Sequence, residues 1–135
     1  MKSRTFVYYQ PNEKDIKDES DDCVVRAICK ALDIDWLTAF DMLCVEARDI
    51  QFMPSSQKTY ESLLRKNGFE YQGISNKKGS KRPTVKQMAG KSQGSVIVMN
   101  VANHVVTAVD GKFYDIWDSG NKSLYGYWQK SIRKE

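Results

Sequence analysis

The feature that most constrains this chain is an amphipathic stretch that begins at a cysteine. Asp21 and Asp22 precede Cys23, and an aspartate in this position is a suitable helix N-cap. The apolar residues that follow recur at the spacing of one helical face, and they are Val24, Ala27, Ile28, Ala31 and Leu32. The pattern predicts a helix that runs to about Leu32, with the thiol on its first turn and the acidic side chains turned toward the backbone as caps.

Length and composition predict one domain over residues 1–135. The 41% hydrophobic and 28% charged residues are typical of a soluble globular protein with a real core. No apolar run approaches the roughly 20 residues of a membrane helix, and the first ten residues lack the apolar region of a signal peptide. A net charge of +4 is only modestly basic and does not by itself indicate nucleic acid. We therefore expect a cytoplasmic protein.

The cysteines and the single histidine argue against a metal site. Cys23, Cys29 and Cys44 are an odd number without CxxC spacing, and His104 is the only histidine. The sequence predicts no disulfide framework, no metal and no cofactor, and it favours a reducing compartment. Cys29 and Cys44 lie in apolar helical stretches, where a cysteine usually acts as a small buried hydrophobe.

Three further helices are predicted, each with a residue that can cap its start. They begin after Asp35, after Ser55 or Ser56, and after Thr84. The helix after the serines should end at residues 67–68, because glycine tolerates the left-handed conformation found beyond helix ends. The helix after Asp35 should pack on the first one through an apolar stripe, which consists of Trp36, Phe40, Leu43 and Ala47.

Strands are predicted mainly in the last third of the chain. The clearest feature is a hairpin, in which Asp110 and Gly111 form a two-residue turn between two apolar runs. The predicted strands cover residues 5–9, 69–74, 95–101, 104–109, 112–117 and 124–128, with a polar tail from about residue 129. Helices followed by strands indicate an α+β fold.

A thiol is a strong nucleophile only as thiolate, and a helix N-terminus or a nearby imidazolium lowers its pKa. The position of Cys23 supplies the helix N-terminus, and His104 could supply the imidazolium. In the predicted hairpin, His104 opposes Trp117 and Asp115 lies diagonal to it on the same face. Asp118 lies one residue beyond Trp117, so either aspartate could orient the imidazole.

The order of these residues resembles that of papain-like cysteine peptidases, including the C39-like branch. Those proteins have a helix-borne cysteine, a strand-borne histidine, and then an Asp or Asn just past the next strand. The stretch 114–120, Tyr-Asp-Ile-Trp-Asp-Ser-Gly, is similar to that last element and implies the orienting role for Asp118, with Asp115 as the alternative. The resemblance also implies the fold, with N-terminal helices packed on a C-terminal antiparallel β-sheet.

Small uncharacterised papain-like proteins of phages and Firmicutes are similar over most of residues 9–128. If the chain is phage-encoded, the expected location is the host cytoplasm. Two family positions differ. Val24 follows the cysteine where such enzymes often have Gly or Trp, and Lys17 stands where papain-like peptidases usually have an oxyanion-hole glutamine. The nearest amides are Asn12 and Gln10, which could join the Cys23 backbone N–H if the acidic loop folds back.

The resemblance implies a thiol hydrolase that cleaves an amide, peptide or isopeptide bond of a protein or peptide substrate through Cys23, His104 and Asp118. The same residues could instead catalyse acyl transfer or deamidation. A third possibility is a binding module, or a phage or mobile-element effector, that acts on a host target through a basic segment over residues 77–91. That segment could bind an acidic partner. The basic residues of that segment are Lys77, Lys78, Lys81, Arg82, Lys86 and Lys91.

Each candidate also has a structural alternative. The basic segment could be a solvated face, and nucleic acid is a poor match for it because interleaved stacking aromatics are missing. His104 could be a strand-end histidine that pairs with Asp115 for stability, and Asp118 could form the turn before Ser119. Asn12 could cap the loop that follows Pro11.

Overall fold

A six-stranded sheet forms the centre of the computed structural model, which describes residues 5–75, 79 and 81–132. Within these residues the chain is α+β, as predicted, with four helices around that sheet. The elements in chain order are β1 (Phe6–Tyr8), α1 (Cys23–Leu32), α2 (Trp36–Ile50), α3 (Gln57–Lys66), β2 (Glu70–Gly73), α4 (Val85–Ala89), β3 (Ser95–Val101), β4 (His104–Val109), β5 (Lys112–Asp115) and β6 (Gly126–Ser131).

The sheet is mixed, so the expectation of a C-terminal antiparallel sheet is wrong in part. Its strand order is β1-β5-β4-β3-β6-β2, and β1 pairs with β5 in parallel while the other pairings are antiparallel. The first two strands of the chain, β1 and β2, thus form its edges. The tail predicted from residue 129 is also wrong in its start, because β6 continues to Ser131, which pairs with Ser95.

The helices lie on both faces of the sheet. Helices α1, α2 and α3 pack together, and α1 covers one face through residues such as Ala27 and Ile28, which share a core with Val98 and Val105. Helix α4 covers the other face, where Val85 and Met88 belong to a second core. Neighbouring strand residues point to opposite faces, which is why Val105 and Val106 belong to different cores.

Most predicted helix starts are confirmed. Asp35, Ser56 and Thr84 each accept a hydrogen bond from a backbone N–H of the first turn. The stripe predicted for α2 is correct at Leu43 but not at Phe40, which stacks on Trp36 and keeps more than a third of its surface exposed.

The predicted hairpin joins β4 to β5 and brings two polar residues to one end of the sheet. Asp110 and Gly111 have φ angles of 49° and 86°, as a tight two-residue turn requires, and Val109 pairs with Lys112. The predicted second strand is shorter than expected, because the backbone N–H of Ile116 turns to the side chain of Asp115. His104 therefore begins β4 and Asp115 ends β5 on the same side of the hairpin.

Candidate active site

Helix α1 presents Cys23 as its first residue beside the start of β4. The Thr107 hydroxyl on β4 donates a 2.8 Å hydrogen bond to the carbonyl of Ala27, which fixes the helix against that strand. Cys23 and His104 consequently line the same two surface clefts. The structure thus brings the predicted nucleophile and the predicted base together.

Cys23 lies beside His104 at the edge of both clefts. Burial would raise the pKa of the Cys23 thiol, but the hydrogen bonding and positive charge of His104 and the backbone of Val105 act against burial, and the net result is a pKa below the ordinary value of 9.0. The charge of Arg26 acts in the same direction. A thiol in this setting carries a substantial share of thiolate closer to neutral pH than an ordinary cysteine does.

His104 is held between this thiol and a carboxylate. Its Nε2 atom lies 2.6 Å from Oδ2 of Asp115. Burial would lower the pKa of His104, but the hydrogen bonds to Asp115 and Cys23 outweigh it and raise the pKa to about 9. The Trp117 ring, whose centroid is 4.9 Å away, covers the imidazole. At neutral pH the arrangement favours an imidazolium beside the Cys23 sulfur.

Asp115 rather than Asp118 is the acid that contacts His104, so the preferred assignment of Asp118 is corrected to its alternative. Asp115 is 1% exposed, and its carboxylate also accepts from Arg26, the Ser119 hydroxyl and the backbone of Ile116. Asp118 follows the end of β5, where its Oδ1 accepts from the backbone of Gly120 at 3.0 Å. That contact matches the turn-forming alternative.

The expected capping role of the acidic residues is also wrong. Asp22 occupies the N-cap position of α1, but its side chain makes no capping hydrogen bond. Its Oδ1 lies 2.5 Å from Nη1 of Arg26, and its Oδ2 accepts from the Trp36 indole at 2.8 Å. The carboxylate therefore points toward a buried arginine instead of the helix N–H groups.

Sequence reasoning missed Arg26, which is 4% exposed although it carries a charge. The available signal was its position on α1, since an arginine four residues after Asp22 lies on the same side of the helix as that aspartate. Ser119 was missed as well, and its hydroxyl lies 2.6 Å from Oδ2 of Asp115.

The two amides proposed for an oxyanion hole have other partners among the described residues. The Gln10 amide nitrogen donates to Asp18 at 2.9 Å, and the Asn12 side-chain oxygen accepts from the backbone of Lys14. Asn12 lines a separate cleft beside Trp36. The acidic loop folds onto its own residues, and Asn12 takes the loop-capping alternative. The Cys23 backbone N–H, the other expected oxyanion-hole donor, lies in the first turn of α1, where helical N–H groups have no intrahelical acceptor.

Two clefts flank the Cys23–His104 pair. The larger has a volume of about 490 Å³ and a mainly neutral lining, which includes Ser55, Gln57, Tyr60, Asn100, Asn103 and Tyr125. The smaller has a volume of about 190 Å³ and is lined partly by acidic side chains and Trp117. An extended chain laid across both clefts would bring a carbonyl group to the thiol.

The other predicted features lie away from this pair. Cys29 is buried, which raises the pKa of its thiol to about 12, and Cys44 is half-buried. Lys77 and Lys78 lie outside the described residues. Of the rest of the basic segment, Lys81, Lys86 and Lys91 are exposed, and Arg82 lies over the Tyr125 ring at the larger cleft.

Within the described ranges, no group of histidine, cysteine and acidic side chains has the arrangement of a metal site. No helix in the same ranges is both long enough and apolar enough to cross a lipid bilayer. Comparison with protein-family models, curated proteins and solved structures gives no match to this chain.

Proposed function

We propose that this protein is a cysteine hydrolase that cleaves an amide, peptide or isopeptide bond with Cys23, His104 and Asp115. The observation that carries the proposal is the position of His104, which lines the same two clefts as Cys23 and lies 2.6 Å from the buried carboxylate of Asp115. Nucleophile, base and orienting acid in this relation are the arrangement used for acyl transfer on several unrelated folds. A thiol at a helix start and a histidine on a strand also support membership of the papain-like group.

The residues have the following roles in that reaction. The Cys23 thiolate attacks the carbonyl carbon, a C–S bond forms, and the carbonyl π electrons move to oxygen. The intermediate then collapses, the C–N bond breaks, and the His104 imidazolium gives its proton to the departing amine. Neutral His104 next takes a proton from water, the hydroxide attacks the thioester, and the C–S bond breaks to restore the thiolate.

Asp115 does not transfer a proton in this scheme. It holds the Nε2 proton of His104, and it stabilises the imidazolium. The Cys23 backbone N–H supplies one donor for the carbonyl oxygen in the tetrahedral intermediate. We place the protein in the cytoplasm, where thiols stay reduced.

Acyl transfer and deamidation use the same three residues and differ in the acceptor or the leaving group. Products formed in the presence of an added amine therefore separate these reactions from hydrolysis. A binding module remains the second candidate, because Gln10 and Asn12 have partners away from the thiol. Such a module would bind its target equally well after Cys23→Ala.

Thiol alkylation tests the proposal directly. Iodoacetamide at pH 7, followed by peptide mass spectrometry, should modify Cys23 well before Cys29 in the same molecule, because the Cys23 pKa is lowered and burial raises that of Cys29. Cys23→Ala should remove the fast phase, whereas Cys44→Ala, the matched control, should retain it. Faster labelling of Cys29 or Cys44 in the wild type would contradict the assignment of the nucleophile.

Hydrolysis needs its own assay. Fluorogenic peptide and lysine-isopeptide libraries should yield product with wild-type protein and none with Cys23→Ala. If Cys23 is selectively alkylated but no amide is cleaved in water or transferred to an amine, the binding module becomes the better conclusion.

A further inference from the structure

A row of buried charges extends the Cys23–His104–Asp115 series into the helix that carries the nucleophile. Arg26 lies one turn after Cys23 on α1, and its guanidinium contacts two carboxylates from different parts of the fold. Nη1 lies 2.5 Å from Oδ1 of Asp22, and Nη2 lies 3.3 Å from Oδ1 of Asp115. Arg26 thereby joins the start of α1 to the end of β5.

All of these charged side chains are shielded from solvent. The side chains of Asp22 and Arg26 are each 5% exposed, that of Asp115 is 1% exposed and that of His104 is 9% exposed. Charges alternate in sign from Asp22 through Arg26 and Asp115 to the His104 imidazolium. A buried charge is tolerated only when paired in good geometry, so each member of the row restricts where its neighbours can lie.

The contacts also divide the two oxygens of Asp115 between two tasks. Oδ1 faces Arg26 and the backbone of Ile116, while Oδ2 faces His104 and Ser119. Arginine suits this bridging position because its planar guanidinium presents several N–H donors in a fixed fork, whereas a lysine ammonium is a point charge on a flexible chain.

The Asp22 end of the bridge is anchored in turn by the Trp36 indole from α2. The Asp22 side chain is thus held away from the helix N–H groups by Arg26 and Trp36. Cys23 directly follows this fixed residue, so the position of the thiol depends on the bridge as well as on the helix.

We propose that Arg26 is a positioning residue that fixes the Cys23 end of α1 to Asp115, so that His104 lies beside Cys23 while it contacts Asp115. This proposal rests on the proposed function for its catalytic meaning, but its structural content is independent of the reaction. Arg26 contacts neither the sulfur nor the reacting carbonyl in this scheme.

Arg26→Lys is the decisive variant, because it keeps the positive charge and removes the fork. Arg48→Lys on the exposed face of α2 is the matched control. Circular dichroism and thermal unfolding establish that each variant is folded. The two readouts are the NMR titration of His104 and the pH dependence of Cys23 alkylation, and neither requires a substrate.

If Arg26 positions the site, Arg26→Lys should lower the His104 pKa and raise the midpoint pH of Cys23 alkylation, each by about one unit or more. Arg48→Lys should change neither. The other acidic groups that line the smaller cleft, Asp18, Glu19 and Asp21, are the same in both variants and do not affect the comparison.

Arg26→Gln separates positioning from simple charge. Loss of a cation from an otherwise fixed site would raise the His104 pKa, whereas loss of positioning lowers it. An unchanged His104 pKa in folded Arg26→Lys, or a raised pKa in Arg26→Gln, would overturn the proposal. If both variants unfold, Asp22→Asn replaces them, because asparagine matches aspartate in size and removes the negative charge that Arg26 contacts. It should shift the His104 pKa and the alkylation midpoint in the same directions, and unchanged values would then overturn the proposal.

Failure of this inference and failure of the proposed function give different results. Wild-type protein without selective Cys23 alkylation would contradict the hydrolase while the His104 titration still tests the bridge. Selective alkylation that persists unchanged in folded Arg26→Lys would retain the hydrolase and reject the bridge.

Discussion

Replacement of Asp115 by asparagine tests the electrostatic centre of the site. The pKa of His104 is raised from 6.5 to about 9, although burial acts in the opposite direction, and the largest opposing contribution is the hydrogen bond with Asp115. A shift of this size corresponds to about 3 kcal/mol in favour of the imidazolium. Without the Asp115 carboxylate, less remains to offset the effect of burial, which lowers the His104 pKa. That pKa should therefore fall by about two units.

The chain makes this measurement simple because His104 is its only histidine. After removal of any affinity tag, the imidazole Cε1–H resonance needs no assignment, and its chemical shift can be followed from pH 5 to 10.5. Cys23 alkylation at pH 7 provides a second readout. It should slow roughly tenfold for each unit by which the thiol pKa rises once the imidazolium is lost.

Two results would refute the reasoning. A wild-type His104 pKa near or below 6.5 would mean that the carboxylate does not overcome burial. An unchanged pKa in folded Asp115→Asn would mean that another group holds the proton. Thermal unfolding of the variant is measured alongside, since Asp115 also accepts from Arg26 and Ser119.

Two further predictions follow from the same contacts. Amide hydrolysis should rise with pH as the Cys23 thiolate forms, and it should fall as pH passes about 9, because the His104 imidazolium that protonates the leaving amine is lost. Iodoacetamide alkylation should rise and stay high, because it needs only the thiolate. A parallel fall in both rates would contradict the assigned role of His104. Asp118→Asn should keep a side-chain oxygen that accepts from the Gly120 backbone N–H. The His104 pKa should match the wild type, and the rate of hydrolysis should stay within about twofold of it. A large loss of hydrolysis in that variant, measured on the same substrate, would restore Asp118 to the site.

Local patterns predicted the parts of the site that depend on local structure. The spacing after Cys23 predicted α1, and the Asp110–Gly111 turn predicted the register that brings His104 and Asp115 to the same side of the hairpin. Both features follow from hydrogen bonds and side-chain periodicity within a few residues. They were sufficient to name Cys23 as the candidate nucleophile and His104 as the candidate base.

The predictions for Asp22 and Asp118 were wrong because residues distant in sequence form hydrogen bonds that local patterns do not show. Asp22 has the sequence character of a cap, but a buried guanidinium and an indole bind its carboxylate more favourably than helix N–H groups do. Asp115 takes the role expected of Asp118 because Arg26 and Ser119 complete its hydrogen bonds in the interior. The end of β6 was missed because the polar residues after Trp128 hid its pairing with β3.

The hydrogen bond from the Thr107 hydroxyl to the Ala27 carbonyl bears on when Cys23 meets His104 during folding. It joins residues 80 positions apart, while His104 and Asp115 are only 11 apart within one hairpin. Short-range contacts form quickly and long-range contacts form late. We therefore expect the newly made chain to carry an ordinary cysteine until α1 docks, so that the rapid alkylation predicted for Cys23 would report the completed native state.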